Sequence, residues 1–281
     1  YNNVDINVLF LANNKMIKDL KDTPVNIHRV SGIKGLDAHL KKYQYETILY
    51  YNSKMVYNFL SKTKQLNKLN SDLVEIYHSD FEWSDSVSSI RERKGVNRLI
   101  RVSEGLANNI VGIDDSLKFY VPVSIDTKRF SPSGGLPKDF IRYGKRVIGT
   151  VARLSSEKNI DHVLSIAKIL TNFQFLVIGD GPNRLSLQKR IDLEQIKNVE
   201  LLGHRENVEK FYKAFDGFLL TSTMEGTPIS IVESLSCGLP VFTTNVGQIE
   251  RAFGHLEGVS LLSGKPQDDA DKIKDFDYEN H

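Results

Sequence analysis

Two carboxylates in the second half of the chain, Glu225 and Glu233, lie eight residues apart and bracket the start of a predicted helix. Thr227 suits the N-cap of this helix and Pro228 its first position, since the N–H that proline lacks would have no intrahelical partner there. The free N–H groups and the positive end of the helix dipole favour an anion, most often a phosphate. Because carboxylates accept hydrogen bonds from paired hydroxyls, the arrangement suits a ligand with polyols on both sides of a phosphate. Each glutamate taken alone would also suit a solvated surface position.

Two basic residues, Arg153 and Lys158, flank a second loop, which follows a predicted strand at 146–151. A planar guanidinium and a compact ammonium together can hold a diphosphate and stabilise negative charge on a leaving group. Both side chains are expected near solvent until such a ligand binds. On their own, two basic loop residues are as readily explained by solvated surface charges. Asn159 is predicted to cap the helix that follows.

The elements that must position these loops are short apolar runs alternating with helical patterns. This spacing predicts βαβ units, and near-continuous apolar strands indicate parallel sheets covered on both faces. The fold class is therefore α/β. The predicted strands lie at 6–11, 25–30, 47–51, 73–77, 98–102, 119–123, 146–151, 218–220, 239–242 and 258–262. The densest cluster of Pro, Gly and Ser, at 131–138, predicts a linker and divides the chain into domains 1–134 and 135–281.

Glycines mark several of the predicted strand-to-helix turns. Gly179 and Gly181 flank such a turn, and Pro182 is predicted at the first position of the next helix. Gly203 closes a further strand, and Gly226 lies between the two carboxylates' loop and helix. Close approach of backbone to a ligand is plausible at such turns, although tight turns alone also require glycine.

The composition limits the classes of partner. The 281 residues are 40% hydrophobic with a net charge of +2, which argues against nucleic acid. Cys237 is the single cysteine, which excludes an internal disulfide, favours a reducing cytosol and suits a small buried side chain. The D-x-D patterns at Asp269–Asp271 and Asp275–Asp277 are interpreted as solvated helix or tail residues, so neither a metal site nor a cofactor is predicted.

Three features of the first half carry further hypotheses. His78 follows a predicted strand directly, at the edge of a parallel sheet where ligands bind in open α/β folds. Ser103 is predicted to cap a helix. The segment Lys41 to Lys68 holds six lysines and one acid, Glu46, among apolar residues. It suits either a basic helix resting on an anionic membrane or a solvated helix face over core residues.

The segment EGTPISIVESLSCGLPVFTTNVGQIE resembles the E-x7-E signature of retaining glycosyltransferases of the GT-B fold, the glycosyl transferases group 1 family. The likeness extends to GTVARLSSEKN, VIGDGPNR and VELLGHRENV, and in the first half to EIYHSD and YVPVSIDTKRF. It implies two Rossmann-like, doubly wound domains facing a cleft, with 1–134 on the acceptor side and 135–281 binding the nucleotide sugar. Relatives begin with one more strand and a glycine-containing loop and end with a returning helix. We therefore expect the first domain to be incomplete and the chain to be truncated at both ends.

The resemblance also implies roles for single residues. Arg153 and Lys158 would hold the donor diphosphate, Glu225 the sugar hydroxyls and Glu233 the ribose. His78 would approach the donor sugar, which completes the predicted catalytic set. The remaining predicted donor-binding residues are backbone neighbours of the ligand: Gly179, Gly181, Gly203, Gly226, Thr227, Pro228 and Ile229.

The implied activity is metal-independent transfer of a hexose from a nucleotide-diphosphate sugar to an acceptor hydroxyl, with retention of configuration. The acceptor would be a saccharide or a lipid-linked molecule in polysaccharide or glycolipid synthesis, at a cytoplasmic location that includes the inner face of the membrane. Two alternatives stay open at this point. One is a nucleotide-sugar epimerase of the same fold, and the other is a donor-binding inactive subunit or fragment.

Overall fold

The computed structural model describes residues 5–10, 25–51, 53–66, 68–77, 91–102, 110–138, 140–143 and 146–279. The chain divides into two compact units, Tyr1–Val121 and Pro122–His281. The sequence places this division at 134/135 instead. The intervening segment packs with the second unit, since Phe130 lies in its core and the Phe130 carbonyl accepts a hydrogen bond from Ser236 Oγ at 2.6 Å.

The first unit consists of parallel strand pairings with helices between them. Its strands are β1 (Ile6–Phe10), β2 (Val25–Arg29), β3 (Thr47–Tyr51), β4 (Asp72–Tyr77), β5 (Arg91–Glu92), β6 (Arg98–Arg101), β7 (Ile110–Val111) and β8 (Lys118–Tyr120), with helices α1 (Gly32–Lys42) and α2 (Lys54–Gln65). β1 pairs with β2, β5 pairs with β7, and the remaining strands form a sheet in the order β3-β4-β6-β8. The short strands β5 and β7 were not predicted.

Helix α2 carries the middle of the lysine-rich segment. It packs Val56 and Leu60 into the core of the first unit, as the solvated-face interpretation requires. Lys64 Nζ is drawn inward to Asn97 Oδ1 and to the Ser71 carbonyl. Among the helices in the described ranges, none is both long and apolar enough to cross a membrane. Contact with a membrane surface through this segment stays a prediction.

The second unit contains the longer sheet. Its strands are β9 (Arg146–Val151), β10 (Phe173–Ile178), β11 (Val199–Gly203), β12 (Gly217–Leu220), β13 (Val241–Thr244) and β14 (Val259–Leu262), and its helices are α3 (Ile160–Ile169), α4 (Arg184–Leu193), α5 (Val208–Tyr212), α6 (Ile229–Ser236), α7 (Ile249–Phe253) and α8 (Pro266–Lys274). The strands are parallel and lie in the order β11-β10-β9-β12-β13-β14. The predicted α/β architecture of parallel sheets is confirmed.

This sheet is covered on both faces, which explains its apolar strands. Val147 and Ile148 are consecutive in β9 and both are buried, yet they belong to different hydrophobic clusters. Since successive side chains of a strand point to opposite faces, each cluster fills one side of the sheet. The predicted core stripe of α5 is confirmed, because Phe211, Tyr212 and Phe215 are buried together.

The strand order places a topological switch point between β9 and β12. The chain proceeds from β9 to β10 and β11 on one side of β9, whereas β12, β13 and β14 lie on the other. In open α/β sheets, ligands bind outside the carboxyl ends of the strands at such a point. The loops that follow β9 and β12, residues 152–159 and 221–228, both start there.

Three details differ from the sequence predictions. Helix α4 begins at Arg184, so Pro182 lies before its N-cap, Asn183, and not at its first position. Asn159 is the N-cap residue of α3, but it adopts a left-handed conformation and its side chain makes no capping hydrogen bond. Asp269 is wrongly predicted as solvated: its side chain is 1% exposed and its Oδ2 lies 2.7 Å from His162 Nε2 of α3.

Candidate functional site

The two loops at the switch point are joined by hydrogen bonds. The Thr223 amide donates to the Glu157 carbonyl at 2.8 Å, and Thr221 Oγ1 donates to the Asn159 carbonyl at 2.9 Å. Pairing of β12 with β9 places the start of both loops side by side. The residues predicted to bind one ligand are thus assembled from two segments that are distant in sequence.

Lys158 and Glu225 are brought into direct contact by this junction. Lys158 Nζ lies 2.7 Å from Glu225 Oε1, and Ser222 Oγ donates to the same oxygen at 2.6 Å. The Glu225 side chain is 8% exposed and that of Lys158 is 23% exposed. The expectation that Lys158 stays near solvent is therefore wrong, because the lysine neutralises a buried carboxylate. Sequence reasoning named both residues but not their ion pair, and it missed Ser222.

Arg153, in contrast, is exposed as expected. It lines a surface pocket of about 390 Å³ at the carboxyl ends of β9, β10 and β11. His204 and Arg205 lie on the opposite wall, with Asp180 between the strands' ends. The pocket therefore carries more basic than acidic side chains. The sequence assigned His204 no role and did not single out Arg205.

The glycines around this pocket allow the two strand-end loops to touch. A Cβ on Gly179, which has φ of +134°, would lie 1.8 Å from the Ala152 carbonyl oxygen, and one on Gly181 would lie 2.4 Å from the Leu154 carbonyl oxygen. Glycine is required at 179 both by the contact and by the backbone conformation. The Gly179 amide donates to the Gly203 carbonyl at 2.9 Å. These glycines shape the floor on which Arg153 sits.

On the other side, Gly247 fixes the loop that carries Glu225. A Cβ on Gly247 would lie 2.1 Å from the Glu225 carbonyl oxygen, and its φ is +61°. The loop after β13 therefore presses on the backbone of Glu225. Gly226, the next residue, is half-buried.

Helix α6 starts one residue later than predicted. Pro228 has ψ of 114° and is the N-cap, Thr227 precedes it, and Ile229 is the first helical residue. The reason is that proline's missing N–H and fixed φ suit the residue before a helix as well as its first position. Ile229 is 52% exposed, so the first turn of α6 opens to solvent beside Glu225 in the chain. Its free amides and the helix dipole still favour an anion there.

Glu233 lies one turn further along α6 and is half-buried. Tyr212 Oη donates to Glu233 Oε2 at 2.6 Å. Burial raises the pKa of Glu233, while the Tyr212 hydrogen bond and the charge of Arg129 act in the opposite direction. Burial also raises the pKa of Tyr212. The sequence predicted Tyr212 only as a core residue and missed its hydroxyl contact.

Several predicted features have no part in this site. His78 and Ser103 lie outside the described residues. Cys237 is buried as predicted, and burial raises the pKa of its thiol to about 11. Asp271 accepts from Gln267 on the surface of α8. Within the described ranges, no group of three or more His, Cys, Asp or Glu residues could hold a metal ion.

Comparison with known families identifies the second unit. Residues 137–277 match the family described as glycosyl transferases group 1, which is half of the chain. The chain belongs to the glycosyl transferases group 1 family. The resemblance found in the sequence is confirmed.

Curated relatives in this family share about a third of the aligned residues. A human protein of the phosphatidylinositol N-acetylglucosaminyltransferase complex is 31% identical over 208 residues, which are 68% of this chain and 41% of that protein. An Escherichia coli protein, UDP-Gal:alpha-D-GlcNAc-diphosphoundecaprenol alpha-1,3-galactosyltransferase, is 30% identical over 139 residues, 45% of this chain and 36% of that protein. The chain spans about two fifths of the length of these two relatives.

Solved structures extend the likeness to both units. The crystal structure of Anabaena HepE in complex with UDP and glucose superimposes with a TM-score of 0.75 over 95% of this chain and 81% of that one, at 16% identity. At this identity the likeness concerns the fold. The GT-B fold class of the group 1 family is thereby confirmed, and the roles of single residues stay predictions.

Proposed function

We propose that this group 1 family member transfers a hexose from a nucleotide-diphosphate sugar to an acceptor hydroxyl, with retention of configuration. The observation that carries the proposal is the junction at the switch point, where Lys158, Glu225 and the start of α6 belong to two hydrogen-bonded loops. UDP is the first donor nucleotide to test, because HepE is seen with UDP and glucose and the E. coli relative is named for UDP-Gal. A glycolipid or lipid-linked saccharide is the proposed acceptor class, since both curated relatives are named for lipid substrates.

In this proposal the diphosphate lies between Arg153, Lys158 and the first turn of α6. An ammonium group has three N–H donors. Lys158 can therefore keep its bond to Glu225 and still donate to phosphate oxygens. The two cations and the helix dipole stabilise the negative charge that gathers on the departing phosphate, which is the role a divalent ion would otherwise fill.

The transfer step breaks the bond between the sugar's anomeric carbon and the phosphate oxygen. It forms a bond from that carbon to the acceptor oxygen on the same face, and the acceptor proton passes to the departing diphosphate. Glu225 is proposed to hold sugar hydroxyls as the anomeric bond lengthens, and His78 to approach the same sugar. Glu233 is proposed to accept from the ribose.

The two glutamates provide the test, because their loss should have different consequences. A hydrogen bond to a charged group contributes about 1.5–3 kcal/mol, so Glu233→Gln should weaken UDP binding about 10- to 150-fold at about 1.4 kcal/mol per decade. Glu225→Gln should leave UDP affinity near wild type and lower kcat with UDP-glucose or UDP-galactose. Glu250→Gln, on the exposed start of α7, is the matched control and should change neither.

Calorimetry with UDP and a turnover assay with a lipid-linked acceptor measure these effects. Equal weakening of UDP binding by Glu225→Gln and Glu233→Gln would refute the assignment of one carboxylate to sugar and the other to ribose. UDP binding with no turnover of any UDP-sugar would instead favour a donor-binding module. Loss of turnover in EDTA, restored by Mg²⁺, would contradict metal-independent transfer.

A further inference from the structure

The ring of Tyr212 is held rigidly in the core of the second unit. It is the last residue of α5 and is fully buried. Its ring centroid lies 5.7 Å from that of Phe130, 5.8 Å from Phe215 and 5.7 Å from Phe218. Aromatic rings in such edge-on and tilted contacts hold one another in a fixed orientation. The direction of the Tyr212 hydroxyl is therefore set by packing.

That hydroxyl is aimed at one oxygen of a carboxylate. Tyr212 Oη donates to Glu233 Oε2 at 2.6 Å, while its contact with the Ser230 carbonyl is longer, at 3.4 Å. A tyrosine has one O–H donor, so the bond to Glu233 uses it. The carboxylate plane is thus constrained from the core side, and Glu233 Oε1 remains for a ligand.

We propose that Tyr212 is a positioning residue, which fixes the Glu233 carboxylate so that it accepts from the ribose hydroxyls of the donor nucleotide. This inference rests on the proposed function, in which Glu233 binds the ribose. A carboxylate on a half-buried helix face has several rotamers, and selecting one before the ligand arrives lowers the entropic cost of binding.

The same bond also keeps Glu233 in its charged, accepting form. Burial raises the pKa of Glu233 and the charge of Glu209 adds to this, whereas the Tyr212 bond and Arg129 lower it. Arg129 is itself paired with Glu209 at 3.0 Å, and the Cys237 thiol lies on the next turn of α6. Without the hydroxyl, Glu233 would take up a proton at higher pH. A protonated carboxyl accepts fewer hydrogen bonds from a diol.

The test is Tyr212→Phe, which removes one oxygen and keeps the ring. We expect UDP to bind about 2- to 12-fold more weakly, as for loss of one ordinary hydrogen bond, and affinity for 2′,3′-dideoxy-UDP to stay near that of the wild type. Calorimetry from pH 5 to pH 8 should also show the loss of UDP affinity on acidification beginning at a higher pH in the variant. Tyr278→Phe, which removes a hydroxyl bonded to the Ile273 carbonyl, is the matched control.

A double-mutant comparison separates positioning from a structural role. If Tyr212 acts through Glu233, Tyr212→Phe should cost nothing further in UDP affinity when Glu233 is already Gln. An equal loss in both backgrounds, or an equal loss for UDP and the dideoxy ligand, would overturn the inference while leaving the ribose role of Glu233 intact. Wild-type UDP affinity in Glu233→Gln alone would overturn both. Thermal unfolding of each variant verifies that it is folded at the assay temperature.

Discussion

Substitution of Lys158 should destabilise the protein before any ligand is considered, which distinguishes it from Arg153. Lys158→Met keeps the length and the apolar stem of the side chain and removes its charge. The Glu225 carboxylate, 8% exposed, would then retain only the Ser222 hydroxyl on Oε1 among the bonds described here. Arg153→Met removes an exposed guanidinium for which the described residues supply no ion-pair partner.

The magnitude follows from the burial of the pair. Loss of a hydrogen bond to a charged group costs about 1.5–3 kcal/mol. Full desolvation of both ions would raise this cost, but Lys158 is 23% exposed, so solvent reaches the pair. At about 2–4 °C per kcal/mol for a chain of this size, the Tm of Lys158→Met should fall by about 3–12 °C. Arg153→Met should stay within about 0.5 kcal/mol of the wild type.

Thermal and urea unfolding followed by circular dichroism measure the difference. Lys168→Met, which breaks the exposed pair with Glu194 at 2.9 Å, is the matched control and should cost at most about 1 kcal/mol. Glu225→Gln should partly restore Lys158→Met, because a neutral amide needs no cation. UDP affinity should fall in both Arg153→Met and Lys158→Met. The same Tm for these two variants, or strictly additive effects in Lys158→Met/Glu225→Gln, would refute the idea that Lys158 neutralises Glu225 in the free protein.

Three further outcomes are expected. Because the folded-state pKa of Glu233 is raised above its ordinary value of 4.5, the folded state binds more protons in that window, so stability should fall as pH rises from about 4.5 toward the raised pKa, and Glu233→Gln should lose this slope in urea unfolding. Gly179→Ala should cost at least about 2 kcal/mol through steric overlap and backbone strain, whereas Gly135→Ala, with open space at its Cβ, should stay within about 1 kcal/mol. Asp269→Ala should cost about 3–5 kcal/mol as the break of a buried pair, while Asp271→Ala on the surface of the same helix should stay within about 0.5 kcal/mol; equal losses in either pair of variants would contradict the packing described here.

The strands could be predicted from the sequence because parallel strands buried on both faces are continuous apolar runs. β3 and β9 have the predicted bounds, and β4 and β12 each begin one residue earlier than predicted. The strands β5 and β7 were missed because two residues do not form a recognisable pattern. The start of α6 was displaced by one residue, since a proline fits both the N-cap and the first helical position.

The contacts within the site could not be predicted in the same way. Lys158 and Glu225 meet because β12 pairs with β9, and strand order is not written in any local pattern. Asp269 was misjudged because its segment is acidic and polar, whereas its burial depends on His162, 107 positions earlier in the chain. Local sequence identified which residues carry chemistry, and long-range pairing decided which of them touch.

The Lys158–Glu225 pair also explains how the proposed site could be ready before the donor arrives. A buried carboxylate without a cation would be costly in the free protein, and a cation placed only for the diphosphate would repel its neighbours when the site is empty. One lysine between the two avoids both costs, because it has a negative partner in the free protein and spare N–H donors for the ligand. Charge that is already oriented needs no rearrangement as the anomeric bond breaks. The switch point therefore supplies a position for ligand binding and, through the pairing of β9 with β12, the counterion that makes Glu225 available there.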